Sequence, residues 1–213
     1  MGIQILTASE SHVLYAEPIC ALMEIEAQKR GTGIAKRKPE YIVKKMLQSQ
    51  AVIALDGDNL VGFSYIETWT HQQFVANSGL IVHPDYRGKG LAKAIKKAIF
   101  ELSKKNYPQA KIFGITTSPA VMKINSDLGY EPVDFAQLTQ DEDFWKGCSS
   151  CPNFDILTRT NRKHCLCTGM LYDNKSLAPQ SPDAKLARWS RFRARIVKAK
   201  ERIKQYSIKK TQA

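Results

Sequence analysis

The sequence predicts an α/β protein with a mixed central sheet flanked by helices. Three observations carry this. Short apolar runs of strand length alternate with segments of helical periodicity. Their order is strand, two helices, three strands, helix, strand, helix. The 213 residues, 43% of them hydrophobic, suffice for one well-buried domain and an appendage and are short for two full domains.

The elements follow in order along the chain. IQILT (3 to 7) has strand length, and YAEPICALMEIEAQKR (15 to 30) brings Ile19, Leu22, Met23 and Ile25 near one side of a helix. GTGIAKRKP interrupts it, and Pro39 suits the first turn of a second helix, PEYIVKKMLQ. AVIAL (51 to 55), the turn DGDN and LVGFSYIET (60 to 68) read as a hairpin, followed by a strand from Phe74 to Val82. Gly90 to Lys105 has helical spacing, KIFGITT (111 to 117) is a strand, and PAVMKINSDLGY is a helix that Gly129 stops. Between Gln137 and Asp173 the periodicity is weak, with CLCTGMLYD (165 to 173) a candidate last strand.

The net charge of +12 is unevenly placed. Residues 174–213 hold 12 Lys and Arg against Asp183 and Glu201, so +10 belongs to the tail and +2 to the body. The body is therefore not expected to bind nucleic acid. The tail spaces Leu186, Trp189, Phe192, Ile196, Ala199, Ile203 and Tyr206 by threes and fours, which predicts a basic amphipathic helix with Ser181 as N-cap and Pro182 behind it. Docking on its own domain or on a second subunit, giving a homo-oligomer, is the favoured use of that face, and an RNA or acidic-membrane contact is the other. The expected division is a domain over 1–173, with a cysteine-rich extension at 136–173, and a helical tail at 174–213. No run of apolar residues is long enough to span a membrane, and no leader is visible at MGIQILTASE, so a cytoplasmic protein is expected.

The most informative stretch is HPDYRGKGLA (83 to 92), between an apolar strand and a helix. Gly88 and Gly90 permit close approach of backbone to a ligand, and the amides opening a helix attract an anion. Arg87 and Lys89 add charge. The pattern completes neither the nucleotide loop G-x-x-x-x-G-K-[ST] nor the dinucleotide fingerprint G-x-G-x-x-G, whose last glycine would stand at Lys93. What remains is R-x-x-G-x-A at Arg87, Gly90 and Ala92. This arrangement, with the element order over residues 1 to 135, resembles the acyl-CoA loop of the GNAT superfamily of N-acyltransferases. A plain strand-to-helix turn with two helpful glycines is the bland alternative.

The resemblance implies acetyl-CoA or another acyl-CoA as the donor and a small amine as the acceptor. It implies that the backbone of Leu80, Ile81 and Val82 pairs with the pantetheine arm, and that Arg87, Gly88, Lys89, Gly90, Leu91 and Ala92 hold the pyrophosphate. Amine acylation needs a neutral amine, a polarised thioester and a proton for the leaving thiolate. In many members of the family a tyrosine four residues before the glycine of L-G-[FY] supplies that proton. The motif here is Leu128, Gly129 and Tyr130, and the tyrosine position is Asn125, which cannot act as an acid. Glu67, at the end of its strand, is the candidate base, with His71 and His83 as rivals and an ordinary structural role as the alternative for each.

The acceptor in this family sits near the segment joining the first two helices, here RGTGIAKRK (30 to 38). Arg30, Lys36, Arg37 and Lys38 can pair with a carboxylate, which makes an acidic amino acid a reasonable acceptor, with a solvated basic loop that holds no ligand as the equal alternative. The stretch is similar to bacterial acyltransferases of arginine biosynthesis that acylate glutamate, which adds amino-acid biosynthesis to the expectations. Acetylation of a protein or polyamine, and a non-catalytic CoA-binding module, are the other readings.

Four of the five cysteines form two close pairs, Cys148-x-x-Cys151 and Cys165-x-Cys167, 13 residues apart. The ligand type and count fit a tetrahedral structural zinc, and buried free thiols lining the acceptor side are the equal alternative.

Overall fold

The computed structural model describes residues 2–30 and 36–173, with Ser190, Ala194, Val197, Lys198 and Glu201 of the tail. The expected C-terminal helix therefore lies largely outside the described residues.

The sheet has seven strands: β1 (Gln4–Thr7), β2 (Ala51–Asp56), β3 (Asn59–Trp69), β4 (Phe74–Val82), β5 (Lys111–Thr116), β6 (Glu131–Val133) and β7 (Thr168–Tyr172). Their spatial order is β1-β2-β3-β4-β5-β7-β6. Every adjacent pair is antiparallel except β4 and β5, which run parallel across α3 (Leu91–Asn106). The expected mixed sheet flanked by helices is the architecture observed.

Alternation along the strands sorts side chains between two faces. On one, Ile53, Phe63, Tyr65 and Ile81 pack with Ile19 and Met23 of α1 (Ala16–Arg30) and Ile42 and Met46 of α2 (Pro39–Leu47). On the other, Val52, Ile66, Val75 and Met170 meet Ile95, Ile99 and Phe100 of α3 and Met122 of α4 (Pro119–Asp127). Ala76 and Phe113 alternate with Val75 and Ile112, so they point away from α3. They join Phe135, Leu138, Trp145 and Leu157 in a third apolar cluster.

Pro39 occupies the first turn of α2, and Ser118 caps α4 by accepting a bond from Val121 N–H at 3.4 Å. Gly129 ends α4 at φ +93°. Tyr130 N–H donates to the Asn125 carbonyl and Gly129 N–H to the Ser126 carbonyl, both at 3.0 Å, which is the Schellman stop. The Leu128-Gly129-Tyr130 motif is thus a helix terminus. Tyr130 itself is core, 1% exposed among Phe100 and Tyr172.

Three details differ from the sequence reading. The hairpin turn is tighter than DGDN, because Asp56 and Asn59 pair and Gly57 and Asp58 alone turn the chain. The weakly periodic region contains α5 (Glu142–Lys146) and α6 (Phe154–Arg159), too short to print a helical repeat. It then returns as β7 between β5 and β6, so the cysteine-rich segment is threaded into the main sheet. Among the described residues no helix is long and apolar enough to cross a membrane.

Candidate active site

β4 and β5 pair over only three positions, Phe74 to Ala76 against Lys111 to Phe113. Beyond them the strands part. The β3–β4 register shifts at the same level: Phe63 faces Ile81, yet Tyr65 faces Ser78, so β4 carries one extra residue. Gly79 takes up this bulge at φ +63°, where a Cβ would stand 2.3 Å from the Tyr65 ring. Only glycine meets both demands. The result is a wedge whose walls, Asn77 to Leu80 and Gly114 to Thr116, line a cavity of about 1110 Å³.

Gly88 and Gly90 adopt φ +77° and +80°, and a Cβ added at either would meet nothing within 4 Å. Conformation selects these glycines, and the space above them is open. Gly90 is the N-cap of α3, so the first amides of that helix have no partner within it and face a favourable dipole for an anion. Arg87 lines the cavity, and its guanidinium is tied to the protein. Its Nη2 pairs with Glu26 of α1, 1% exposed, and its Nε and Nη2 donate to the Val82 carbonyl at 3.2 Å. Arg87 staples the loop to α1. Lys89 leans over the Tyr86 ring and donates to the Asp85 carbonyl at 3.3 Å. The amides of the turn offer an anion donors, with the charges of Arg87 and Lys89 close by.

Leu80 lines the cavity, whereas Ile81 and Val82 are buried and paired with Phe63 and Gly62 of β3. Glu67 faces the cavity from β3, 6% exposed. Its Oε1 accepts from the Tyr41 hydroxyl at 2.6 Å and from Arg37 Nη2 at 3.2 Å, and its Oε2 accepts from the Ser78 hydroxyl at 2.6 Å. Arg37 Nε donates to the Tyr65 hydroxyl at 2.9 Å. Burial and then the Glu67 charge raise the pKa of Tyr41 and Tyr65 well above the usual phenol range, so both stay neutral, Tyr41 donating to Glu67 and Tyr65 accepting from Arg37. Tyr41, Tyr65 and Ser78 were not expected from the sequence: only folding brings them to Glu67. His71 and His83 are absent from the cavity wall.

Of the other basic residues, Lys36 pairs with Glu24 at 2.6 Å in an exposed contact, and both Lys36 and Lys38 line the cavity. Arg30 is the last residue of α1. Asn125 lies in α4, 2% exposed, with its Nδ2 4.0 Å from where a Gly114 Cβ would stand and its Oδ1 without a hydrogen-bond partner. Nearby on the α3 side, Lys96 is 2% exposed, donates to Asn77 Oδ1 at 3.1 Å and lies 4.9 Å from the Tyr130 ring centroid. Burial pulls its pKa down to about 7.

All four paired cysteines line the cavity beyond Trp145 and Leu157. The neighbouring Cys167, the largest influence and one that outweighs burial, brings the Cys165 pKa down to about 6. Burial, with Cys165 and Cys151 adding, pushes Cys148 to about 11. The expected zinc is not supported. No group of three or more His, Cys, Asp or Glu among the described residues is placed to hold a metal ion.

Residues 21–120 match the model of the acetyltransferase (GNAT) family. A search of curated proteins found no match. Among solved structures, N-acetylglutamate synthase from Neisseria gonorrhoeae, complexed with coenzyme A and N-acetyl-glutamate, is 15% identical with a TM-score of 0.58. The alignment covers 81% of this chain and 35% of that one, so the chain spans about a third of that enzyme's length. A Salmonella typhimurium protein with its cofactor acetyl-CoA is 12% identical, with 85% and 99% of the chains covered and a TM-score of 0.53. The ribosomal-protein-S18-alanine N-acetyltransferase of Escherichia coli is 11% identical, with 84% and 98% covered and a TM-score of 0.51. At these identities the likeness speaks for the fold.

Proposed function

We propose that this chain, which carries a GNAT acetyltransferase domain over residues 21–120, moves an acyl group from CoA to the amine of a small amino acid, with glutamate favoured. The observation that carries the reading is the Arg37–Glu67 pair, a guanidinium 3.2 Å from a carboxylate on the cavity wall. Side by side, these groups complement an α-amino acid zwitterion, Glu67 toward the ammonium and Arg37 toward the carboxylate. Lys36 and Lys38 on the same wall suit a second carboxylate and oppose a polyamine. The synthase from Neisseria gonorrhoeae, solved with N-acetyl-glutamate, supports the same choice by analogy. A glutamate acceptor would place the reaction in amino-acid biosynthesis.

The open turn at Gly88 and Gly90 and the first-turn amides of α3 fit a pyrophosphate, and the wedge between β4 and β5 fits the arm that follows it. Bound acyl-CoA supplies the activated acyl group. Glu67, held by Tyr41, Arg37 and Ser78, takes the proton that the acceptor ammonium must lose before attack. Asn125 can donate a hydrogen bond from Nδ2 but no proton, so the departing thiolate takes its proton from water.

The test is CoA thiol release with acetyl-CoA and succinyl-CoA across a panel of amino acids and amines. Glutamate is expected to stimulate release most. Equal stimulation by cationic amines would overturn the acceptor assignment, and no stimulation by any amine while CoA still binds would leave the non-catalytic module standing.

A further inference from the structure

We propose that Asn77, pinned by Lys96, Ser103 and Tyr130, is a positioning residue that holds β4 away from β5 and keeps the wedge open for the arm of acyl-CoA. This rests on the acyl-CoA reading of the wedge and adds what keeps the two strands apart. Neighbouring strands close where their backbone donors and acceptors can reach each other, so a parting inside a sheet needs groups that oppose closure.

The register shows what closure would be. Val75 pairs with Ile112 and Ala76 with Phe113, and one further step would bring Asn77 to Gly114. Gly114 has no side chain to prop the strands apart, and a Cβ built there would stand 3.9 Å from the Asn77 carbonyl oxygen. What opposes closure lies on β4. Asn77 shares the face of Val75, which packs toward α3. There its Oδ1 accepts from Lys96 Nζ at 3.1 Å and from the Tyr130 hydroxyl at 2.9 Å. Its Nδ2 donates to Ser103 Oγ at 2.7 Å, and the Ser103 hydroxyl donates on to the Ile99 carbonyl at 2.7 Å. Asn77 lines the cavity, while its three partners are buried behind it, none more than 2% exposed. The next residue is held from the other face: Ser78 Oγ donates to Glu67, and the Ser78 carbonyl accepts from Ser64 Oγ at 2.9 Å. β4 is thus tied to α3 and to β3 at the point where it leaves β5.

Lys96 is the costly member of the clamp. Its ammonium has exchanged water for an amide oxygen and an aromatic ring, which lowers stability. A methionine of similar length would fill the space without that cost. What the lysine adds is a charged donor, which makes the stronger hydrogen bond and fixes the orientation of the Asn77 amide. A strand already fixed in its parted state spares the ligand the cost of separating it.

Calorimetric CoA titrations and urea melts near neutral pH compare the full chain with Asn77→Leu, Asn77→Asp, Lys96→Met and Lys105→Met. Asn77→Leu removes every bond of the clamp and is expected to weaken CoA binding about tenfold, with Lys96→Met weakening it about threefold. Lys96→Met should do so while raising stability, a divergence that a merely structural role does not produce. Asn77→Asp keeps the acceptor for Lys96 and Tyr130 and should recover most of the affinity lost in Asn77→Leu. Lys105→Met removes the same charge from an exposed position in the last turn of α3 and should leave CoA binding unchanged. The proposal is overturned if a folded Asn77→Leu binds CoA as tightly as the original chain, or if affinity simply follows stability across the variants. If Asn77→Leu does not fold, Lys96→Met decides: CoA binding as tight as in the original chain overturns the proposal. An original chain that binds no CoA overturns the acyl-CoA reading together with this one, whereas intact CoA binding without amine-stimulated thiol release counts against the enzymatic reading alone.

Discussion

Arg37 Nη2 and Glu67 Oε1, 30 residues apart in sequence, meet at 3.2 Å on the wall of the wedge cavity. The pair is largely buried, with side chains 20% and 8% exposed, and the remaining polar atoms meet Tyr41, Tyr65, Ser78 and the Lys36 carbonyl. Removing one partner of such a pair leaves the other charged and poorly solvated. The two residues therefore answer differently to substitution.

Glu67→Gln keeps the shape and removes the proton acceptor. Acceptor-dependent turnover is expected to fall by about 10²- to 10⁴-fold, with CoA affinity unchanged. Tyr41→Phe removes one hydrogen bond to the same oxygen and should cost far less turnover. Steady-state kinetics beside a CoA titration reads both. Unchanged turnover in Glu67→Gln would remove Glu67 from the reaction.

Gly79→Ala tests the bulge. The position combines φ +63° with a Cβ 2.3 Å from the Tyr65 ring, so Tyr65 or the strand must move. A loss of about 2 to 4 kcal/mol is expected from strain and overpacking together, read as a lower urea midpoint. Because Tyr65 also receives Arg37, turnover should fall with stability.

How far these features were legible from sequence depends on the range of the interaction. The strand-to-helix glycines, Pro39 and the Gly129 stop are local, and each was readable because one backbone angle or one missing N–H decides it. α5 and α6 span five and six residues, less than two helical turns, and β6 has three residues including Pro132. Periodicity has nothing to act on there. Glu67 stood out at a strand end, but Tyr41, Ser78 and the inward turn of Arg37 exist only once α2 packs on β3. The cysteine spacing was visible, whereas the mutual orientation of the thiols is tertiary.

Lys96 gives a pH prediction. Its pKa is about 7 when folded against 10.5 unfolded, with burial as the cause. Between those values the unfolded chain holds the extra proton, so stability rises with pH from about 7 to 10.5 and sits at its lower level below 7. The polar groups facing the ammonium are Asn77 Oδ1 and the Tyr130 ring, neither of them an anion. Lys96→Met should flatten this part of the profile and raise stability near neutral pH. Urea melts between pH 6 and pH 10 (about the window set by the two values) provide the measurement; an unchanged slope would show that Lys96 is not the titrating group.

Gly90→Ala separates holding an anion from holding the fold. A Cβ at Gly90 meets no atom within 4 Å, so the cost to the free protein is the left-handed φ alone, on the order of 1 kcal/mol. With a pyrophosphate over the α3 amides, the same methyl group enters the ligand's space. CoA affinity is therefore expected to fall at least tenfold, or about 1.4 kcal/mol, beyond any change in melting. Calorimetric CoA titration beside a thermal melt distinguishes the two effects. Arg87→Ala makes the complementary case: it removes a guanidinium paired with Glu26, 1% exposed, and should lower stability more than Gly90→Ala does. If Arg87→Ala instead weakened CoA binding without destabilising the chain, the guanidinium would belong to the ligand and not to α1.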